Sequence, residues 1–434
     1  MASRQPKAPT EVAAPDHKSW PRELWPLAPY LGVIAAASLL GVLLTRRGYT
    51  LGLNAAPLFG ELSPSLTVRI IPAAVFIVLV VSYGGTASTR LSWSGLLLSS
   101  FAGAVAWAVA LAAIRGLPAL TAPLSSKFDA LPFLPRVGSI ADFLQTFTAH
   151  IATFPIHVQG HPPGLVVLLA GLRWLGVARP EIVAGLYILA GASTVPAVLV
   201  AMRSVAGENP ARSAAPWLVL APFSLWIATS PDALYAGVGA WALVLIVTAG
   251  TSRLRPLAGG LLFGFTLLLT YGAALLALIP AGVALVRRQL KPLSYVLVGV
   301  AAVVTAFAAA GFWWLDGLWA TRSRYYAGLG GVRPYWYFLL ADAAALAIAC
   351  GPATLKGILS PRDGRAWILP ALALLAVAAA ALSGLSKGEV ERIWLPFTPW
   401  IVLAAGSVTT RRRFWLATSA VVAMGVEVLV MTPW

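Results

Sequence analysis

The chain has 434 residues, of which 59% are hydrophobic and only 11% are charged, and its mean hydropathy is +0.82. A water-soluble globular protein carries about 25% charged residues, so this composition excludes that class. It predicts instead an all-α polytopic integral membrane protein. The net charge of +16 is spread through short segments between apolar runs. That distribution argues against a nucleic-acid partner and favours contacts with membrane lipids.

Residues 1–28 are polar and proline-bearing, and we interpret them as a disordered cytoplasmic tail. Residues 29–434 are expected to form one transmembrane domain, because runs of roughly 17–25 apolar residues can cross a bilayer. Such runs predict spans at 29–45, 67–84, 95–114, 181–202, 213–229, 233–250, 293–313, 335–352, 367–384, 392–408 and 415–432. The apolar block 256–287 is interrupted at Thr270-Tyr271-Gly272 and is counted as two spans. About 13 spans are therefore expected.

The shorter segment 163–178 is interpreted as an interfacial helix on the outer face. If it crossed the membrane, every later basic loop would lie on the outer side, whereas basic residues prefer the cytoplasmic side. This assignment predicts a plasma-membrane protein with a cytoplasmic N-terminus and an external C-terminus. The outer loops are then 46–66, 115–180, 314–334 and 385–391.

Acidic residues gather on the predicted outer face, where a general base for chemistry on a lipid-borne substrate is expected. Asp129 and Asp142 lie in the loop 115–180 and are the candidate catalytic residues. Either carboxylate can accept a proton from an acceptor hydroxyl or hold a divalent cation against a phosphate. The alternative is a solvated loop acid or a helix N-cap, and Asp142 after Gly138-Ser139 suits a helix start.

Three of the four histidines lie between His150 and His161, and the last opens the sequence His161-Pro162-Pro163-Gly164. The two prolines fix two φ angles and prepare the first turn of a helix, which presents His161 in a fixed direction. We expect His161 and His157 to contact substrate, while a surface histidine that caps the helix is the alternative. The histidine spacing matches no zinc motif and the chain has one cysteine, so no metal site is assigned.

Two further segments carry polar groups near the predicted outer face. Asp232 follows Ser230-Pro231 and either caps the next helix or faces an outer cavity. The segment 313–337 is rich in aromatic rings and guanidinium groups, which are typical of an interfacial belt or of a phosphate and sugar site. Substrate binding is assigned there to Arg322, Arg324, Tyr325, Tyr326 and Arg333.

The turn Lys387–Arg392 places four charges in six residues at a predicted membrane edge. Such a density is costly unless the charges are paired or face a cavity. We expect Arg392 to bind a lipid phosphate, with Glu389 or Glu391 holding it in place. A solvated loop with an internal ion pair is the alternative.

Several of these features together resemble the GT-C glycosyltransferases. They are the acid-bearing outer loop that ends in His-Pro-Pro, the following interfacial helix, the many spans and the late charged segment Gly388-Glu389-Val390-Glu391-Arg392. Within that superfamily the chain resembles the multispanning enzymes of actinobacterial cell envelopes, which include mannosyl, arabinofuranosyl and methylthioxylose transferases. Protein O-mannosyltransferases carry His-Pro-Pro-Leu at a comparable place, whereas this chain has Gly164 there.

The resemblance implies transfer of a sugar from a polyprenyl-phosphate donor to an envelope glycan or lipoglycan on the outer face. By position it implies that Asp129 or Asp142 is the base of an inverting displacement, with Glu61 in the first outer loop as a third candidate. No cofactor is required, although the chemistry admits a divalent cation, Mg²⁺ or Mn²⁺.

Two rival functions remain at this point. A transporter or flippase of a lipid-linked or amphipathic substrate predicts buried acids in mid-span and inverted repeats. Asp342 is the main acid of that kind, and no clear internal repeat is visible. A non-catalytic subunit of an envelope complex leaves the clustered outer acids unexplained.

Overall fold

The computed structural model describes residues 23–360 and 364–433, so most of the predicted cytoplasmic tail lies outside the described residues. The chain is 77% helical. Two two-residue strands, β1 (Glu61–Leu62) and β2 (Val430–Met431), pair antiparallel. The all-α prediction is therefore confirmed.

The helices are numbered here in chain order, with 3₁₀ turns left unnumbered. The first part of the chain forms α1 (Leu27–Arg46), α2 (Ile70–Arg90), α3 (Trp93–Ala112), α4 (Ile140–His150), α5 (Ile156–Gln159), α6 (Gly164–Trp174), α7 (Pro180–Ala192), α8 (Thr194–Ala206), α9 (Glu208–Val219) and α10 (Pro231–Val247). The remainder forms α11 (Leu254–Leu269), α12 (Leu278–Val286), α13 (Lys291–Ala309), α14 (Trp314–Ala327), α15 (Leu329–Val332), α16 (Tyr335–Cys350), α17 (Pro352–Ile358), α18 (Gly364–Ser383), α19 (Val390–Ile393), α20 (Thr398–Val402) and α21 (Arg412–Leu429).

Six helical segments of the described chain are long and apolar enough to cross a membrane, and a seventh is added if the pair α16–α17, bent by 98°, is one span. The six are Leu27–Arg46, Ile70–Arg90, Trp93–Arg115, Pro180–Ala206, Lys291–Ala309 and Gly364–Ser383. The predicted count of about 13 is not confirmed. Two of the predicted spans, 213–229 and 392–408, are broken into short helices and 3₁₀ turns at their prolines, which cannot supply the backbone N–H that a continuous helix needs.

The break predicted inside 256–287 is confirmed. Helix α11 ends at Leu269, Thr270 is extended, and a 3₁₀ segment from Tyr271 leads into α12.

Helix α6, which follows the diproline, has 11 residues. At 1.5 Å per residue it is about 16 Å long, too short to cross a hydrocarbon core of about 30 Å.

The loops predicted to be cytoplasmic contact one another. Nη1 of Arg212 donates hydrogen bonds to the carbonyl oxygens of Ser88 and Leu91, at 2.8 and 2.9 Å. Nη1 of Arg287 donates to the carbonyl oxygen of Val247 at 2.7 Å. Arginine side chains thus tie the ends of α2 and α9, and of α10 and α12, together by capping exposed helix carbonyls.

The predicted outer loop 115–180 is folded around its own aromatic cluster. The ring centroids of Phe133, Phe143, Phe147 and Phe154 lie 5.3–6.2 Å apart, and Phe312 packs edge-on against Phe147 at 5.3 Å. Tilted and edge-to-face pairs at these distances are favourable beyond their buried area. This packing fixes the backbone that carries the candidate acid and histidines.

The backbone of the turn His161-Pro162-Pro163-Gly164 packs closely against α11. A Cβ atom at Gly164 would lie 2.3 Å from the carbonyl oxygen of Leu268. Gly164 is therefore required at this position by close packing against α11.

We expect Gly164→Ala to destabilise the protein by about 1–3 kcal/mol, because the new methyl group overlaps a backbone atom that cannot move aside cheaply. The matched control is Gly171→Ala in the same helix, where a Cβ meets nothing within 4 Å. That change is expected to be neutral or to stabilise by about 0.5–1 kcal/mol. Thermal unfolding of both variants in detergent measures the difference, and equal melting temperatures would contradict the packing argument.

Candidate functional site

Three segments that are far apart in the sequence meet at the candidate site. Oγ1 of Thr321 on α14 donates to the carbonyl oxygen of Gln159 at 2.9 Å, and Nε of Arg324 donates to Oε1 of Gln159 at 3.3 Å. The hydroxyl of Tyr325 accepts the backbone N–H of Lys387 at 2.9 Å. Helix α14 therefore joins the segment 150–161, the histidine loop, to the segment 387–392, the charged turn.

Asp129 is buried and paired with a histidine. Its Oδ2 lies 3.5 Å from Nδ1 of His157, and its Oδ1 accepts the backbone N–H of Leu131 at 3.3 Å. The carbonyl oxygen of Phe128 accepts the backbone N–H of His157 at 3.1 Å. A carboxylate held this way beside an imidazole is arranged to take up a proton.

His161 is positioned by a backbone carbonyl and an aromatic ring. Its Nδ1 lies 2.7 Å from the carbonyl oxygen of His157, and its ring centroid lies 5.4 Å from that of Tyr235. Burial lowers the pKa of His161 below its ordinary value, although the nearby Asp232 opposes the shift. A neutral ring that donates from Nδ1 leaves Nε2 as a hydrogen-bond acceptor.

Arg392 lies between two carboxylates. Its Nη1 is 2.6 Å from Oδ2 of Asp232, and its Nη2 is 2.9 Å from Oε2 of Glu389. Both Arg392 and Asp232 are almost fully buried, at 3% and 2% exposure. Ser230 caps α10 by accepting the backbone N–H of Asp232, and its hydroxyl donates to the same carboxylate at 3.0 Å. Asp232 thus lies in the first turn of α10 and pairs with Arg392.

The site also contains buried polar atoms that have no hydrogen-bond partner among the described residues. These are Oε2 of Glu391 and the hydroxyls of Tyr187 and Tyr235. The other oxygen of Glu391 accepts the backbone N–H of Phe59 at 2.8 Å. Tyr235 lies one turn after Asp232 in α10 and beside His161, and α10 packs against α7, the helix that carries Tyr187. Buried polar groups normally find partners, so unpaired ones indicate a place where a ligand can bind.

Arg333 is held by the protein backbone. Its Nε donates to the carbonyl oxygen of Leu51 at 2.8 Å and its Nη1 donates to the carbonyl oxygen of Lys387. Lys387 in turn donates to the carbonyl oxygen of Gly330. The backbone N–H of Gly388 donates to Oδ1 of Asp342 at 2.9 Å. These bonds fix the charged turn, so Arg333 positions other groups rather than facing outward.

The remaining predicted binding residues lie on α14 and are accessible. Arg322 is exposed and stacks over the rings of Trp319 and Tyr326, at 5.4 and 5.2 Å. The hydroxyl of Tyr326 donates to the carbonyl oxygen of Gly384 at 3.2 Å. Arg324 is likewise exposed. Helix α14 therefore presents two guanidinium groups beside the site.

Two of the predicted acids lie apart from these contacts. Asp142 is exposed in the first turn of α4, where Ser139 accepts its backbone N–H at 3.4 Å. Glu61 is exposed in β1 and pairs with Met431. The sequence reasoning missed Tyr187, which sits in an apolar run without local signal, and Gln159, which stands between the two site histidines.

No protein family and no curated protein sequence matches the chain. The class that the fold defines is an α-helical protein with several helices suited to cross a membrane. Within residues 23–360 and 364–433 no group of three or more His, Cys, Asp or Glu side chains is arranged to hold a metal ion.

We expect Asp232→Asn to destabilise the protein by about 3–5 kcal/mol, because it removes a charge partner from a buried guanidinium. The double variant Asp232→Asn/Arg392→Gln should cost less than the sum of the two single changes, since the pair is coupled. Exposed Asp142→Asn is the control and should stay within about 0.5 kcal/mol of wild type. Chemical or thermal unfolding in detergent measures wild type and the four variants, and strict additivity would refute the pairing.

Burial raises the pKa of Glu391 to about 7, while the N–H of Phe59 opposes the shift. A carboxyl whose pKa is raised on folding stabilises the protein below its unfolded pKa of about 4.5, and this stability is lost as pH rises through about 7. We therefore expect wild type to lose about 3 kcal/mol of stability between pH 4.5 and pH 8 through this group. Glu391→Gln should remove that part of the pH dependence. The idea fails if the melting temperatures of both proteins fall equally over this range.

Proposed function

We propose that this protein is a membrane glycosyltransferase that moves a sugar from a polyprenyl-phosphate donor to an envelope glycan or lipoglycan on the outer face of the membrane. One observation carries the proposal: the buried carboxylate of Asp129 pairs with His157, and His161, which bonds to His157, lies beside Tyr235, one turn along α10 from the Asp232 that pairs with Arg392. A general base can activate the acceptor hydroxyl, and charged groups can stabilise the phosphate that leaves the sugar carbon. An apolar helical bundle suits the lipid chain of such a donor.

Asp129 is the proposed base. It accepts the proton of the acceptor hydroxyl as that oxygen forms a bond to the anomeric carbon of the sugar. The bond from this carbon to the phosphate oxygen breaks, and its electron pair leaves with the polyprenyl phosphate. Attack from the face opposite the leaving group inverts the configuration. Asp129 is favoured over Asp142 because it is buried and paired, whereas Asp142 is exposed and sits at the start of α4.

The exposed guanidinium groups of Arg322 and Arg324 on α14 are the proposed partners of the donor phosphate. Arginine recognises phosphate oxygens through two parallel N–H donors, and this bond strengthens as negative charge develops on the leaving group. Arg392 is held by two carboxylates and fixes the position of the Asp232 side chain.

The sugar ring is proposed to lie among the hydroxyls of Tyr187 and Tyr235 and the Nε2 of His161. These groups supply both donors and acceptors, and sugar hydroxyls can satisfy either kind. The aromatic rings also offer apolar faces to a pyranose or furanose.

The donor set around Asp129 consists of one carboxylate and one imidazole. Mg²⁺ and Mn²⁺ prefer sets of oxygen ligands, so this pair does not fit a protein-held divalent cation. The proposed mechanism therefore assigns no step to a metal.

A transporter or flippase is the second candidate, and the bend of 98° between α16 and α17 favours it. Transporters commonly place substrate at discontinuous helices. Asp342 lies in α16 and accepts the N–H of Gly388 from the charged turn, so it also links a span to the site. The two candidates differ in whether a covalent product forms.

We expect Asp129→Asn to lower sugar transfer by at least about 100-fold, since removal of a general base costs about 10²–10⁴ in rate. Asp142→Asn should keep transfer within about twofold of wild type, since its carboxylate lies at a solvated helix start. The assay uses purified protein in liposomes with radiolabelled polyprenyl-phosphate sugars, offered one at a time with envelope lipoglycan.

Melting temperatures equal to wild type show that both variants are folded. Full activity of Asp129→Asn would place the base elsewhere. Labelled lipid that reaches the opposite leaflet without a covalent product would replace the transferase with the flippase.

A further inference from the structure

A groove lies between α2, α9 and α21, at the end of the molecule where α2 ends and α21 begins. Its volume is about 210 Å³. Its lining includes Val81, Ser82, Thr86, Trp217, Arg412, Arg413 and Leu416. We call it the basic groove. It involves none of the candidate site residues described above.

The lining of the basic groove changes with depth. Along α2, Val81 lies nine residues before the terminal Arg90 and Thr86 lies four residues before it, so they sit about 14 and 6 Å below the helix end. Along α21, Arg412 is the first residue and Leu416 lies one turn deeper. The groove is thus cationic at its rim and lined deeper down by both apolar and hydroxyl-bearing side chains.

The donors at the rim suit an anion. Arg412 is held in place by Ser213, whose Oγ accepts from its Nη1 at 2.9 Å, and its guanidinium lies 5.6 Å from the ring centroid of Trp217. Arg413 is exposed beside it. Nε1 of Trp217 is buried, and it has no hydrogen-bond acceptor in the part of the chain that the structure describes. A buried indole N–H normally has a partner, so this donor indicates a ligand that accepts hydrogen bonds.

We propose that the basic groove binds one anionic membrane phospholipid, with the headgroup phosphate at Arg412 and Arg413 and an acyl chain against Val81 and Leu416. Charge complementarity selects an anionic headgroup, and basic pockets between membrane helices are suited to such lipids. The ester oxygens of the lipid accept from Trp217 and from the hydroxyls of Ser82 and Thr86. This site is independent of the proposed sugar transfer, and its test requires no activity.

The test measures lipid binding by native mass spectrometry of the full-length protein released from detergent. The probes are phosphatidylglycerol, phosphatidylcholine and inorganic phosphate. Wild type is expected to retain one phosphatidylglycerol at least tenfold more tightly than phosphatidylcholine. Inorganic phosphate should not compete at tenfold molar excess over the lipid, because it lacks the acyl chain.

The variant Trp217→Phe/Arg413→Gln removes two donors and should weaken phosphatidylglycerol binding at least tenfold. Arg413→Gln alone changes only an exposed side chain, so it tests the same site without a risk to folding and should weaken binding at least threefold. The control Arg253→Gln removes an equal charge from an exposed position that does not line the groove and should leave binding unchanged.

Wild-type affinity in Arg413→Gln would overturn the proposal, as would equal retention of the two phospholipids. Competition by inorganic phosphate would overturn the lipid assignment in favour of a free anion. Weaker binding in Arg253→Gln would show that overall charge, and not this groove, attracts the lipid.

Discussion

The buried guanidinium of Arg392 is the constraint on which the candidate site depends. A charge at 3% exposure cannot persist in an apolar bundle without partners, because the cost of removing it from water is several kcal/mol. Its partners are Glu389 in the same turn and Asp232, 160 residues earlier. Forming that pair obliges the charged turn to dock against the start of α10. The backbone bonds made by Arg333 and Lys387 hold the turn in that position.

That docking concentrates polarity in one region of an otherwise apolar protein. Packing of the aromatic cluster orders the loop that bears Asp129 and His157, and close contact of Gly164 with α11 fixes the start of α6. Helix α14 then bonds to both the histidine loop and the charged turn. A site assembled from several rigid elements keeps its groups oriented before a ligand arrives, which is the general requirement for electrostatic catalysis.

The arginines of the chain serve two physical tasks. Arg212 and Arg287 cap helix carbonyls and tie the ends of neighbouring helices together. Arg322, Arg324 and Arg413 are exposed, and we assign phosphate ligands to these three and to Arg412. The same planar guanidinium suits both tasks, because it offers five donors in fixed directions to carbonyl or phosphate oxygens.

The sequence by itself determined the all-helical class, the break at residues 270–272, the helix start after the diproline and a pairing of Arg392 with Glu389 or Glu391, of which Glu389 is the one observed. These depend on apolar run length, proline geometry and charge spacing, which are local properties of the chain. Only the tertiary structure decided that Asp232 is the second partner of Arg392, that Tyr187 joins the site and that Arg333 binds backbone. The apolar runs 213–229 and 392–408 are broken at their prolines, a local signal that hydropathy alone does not register. Which distant elements pack together depends on the shapes and charges of whole helices, and local sequence pattern does not encode that choice.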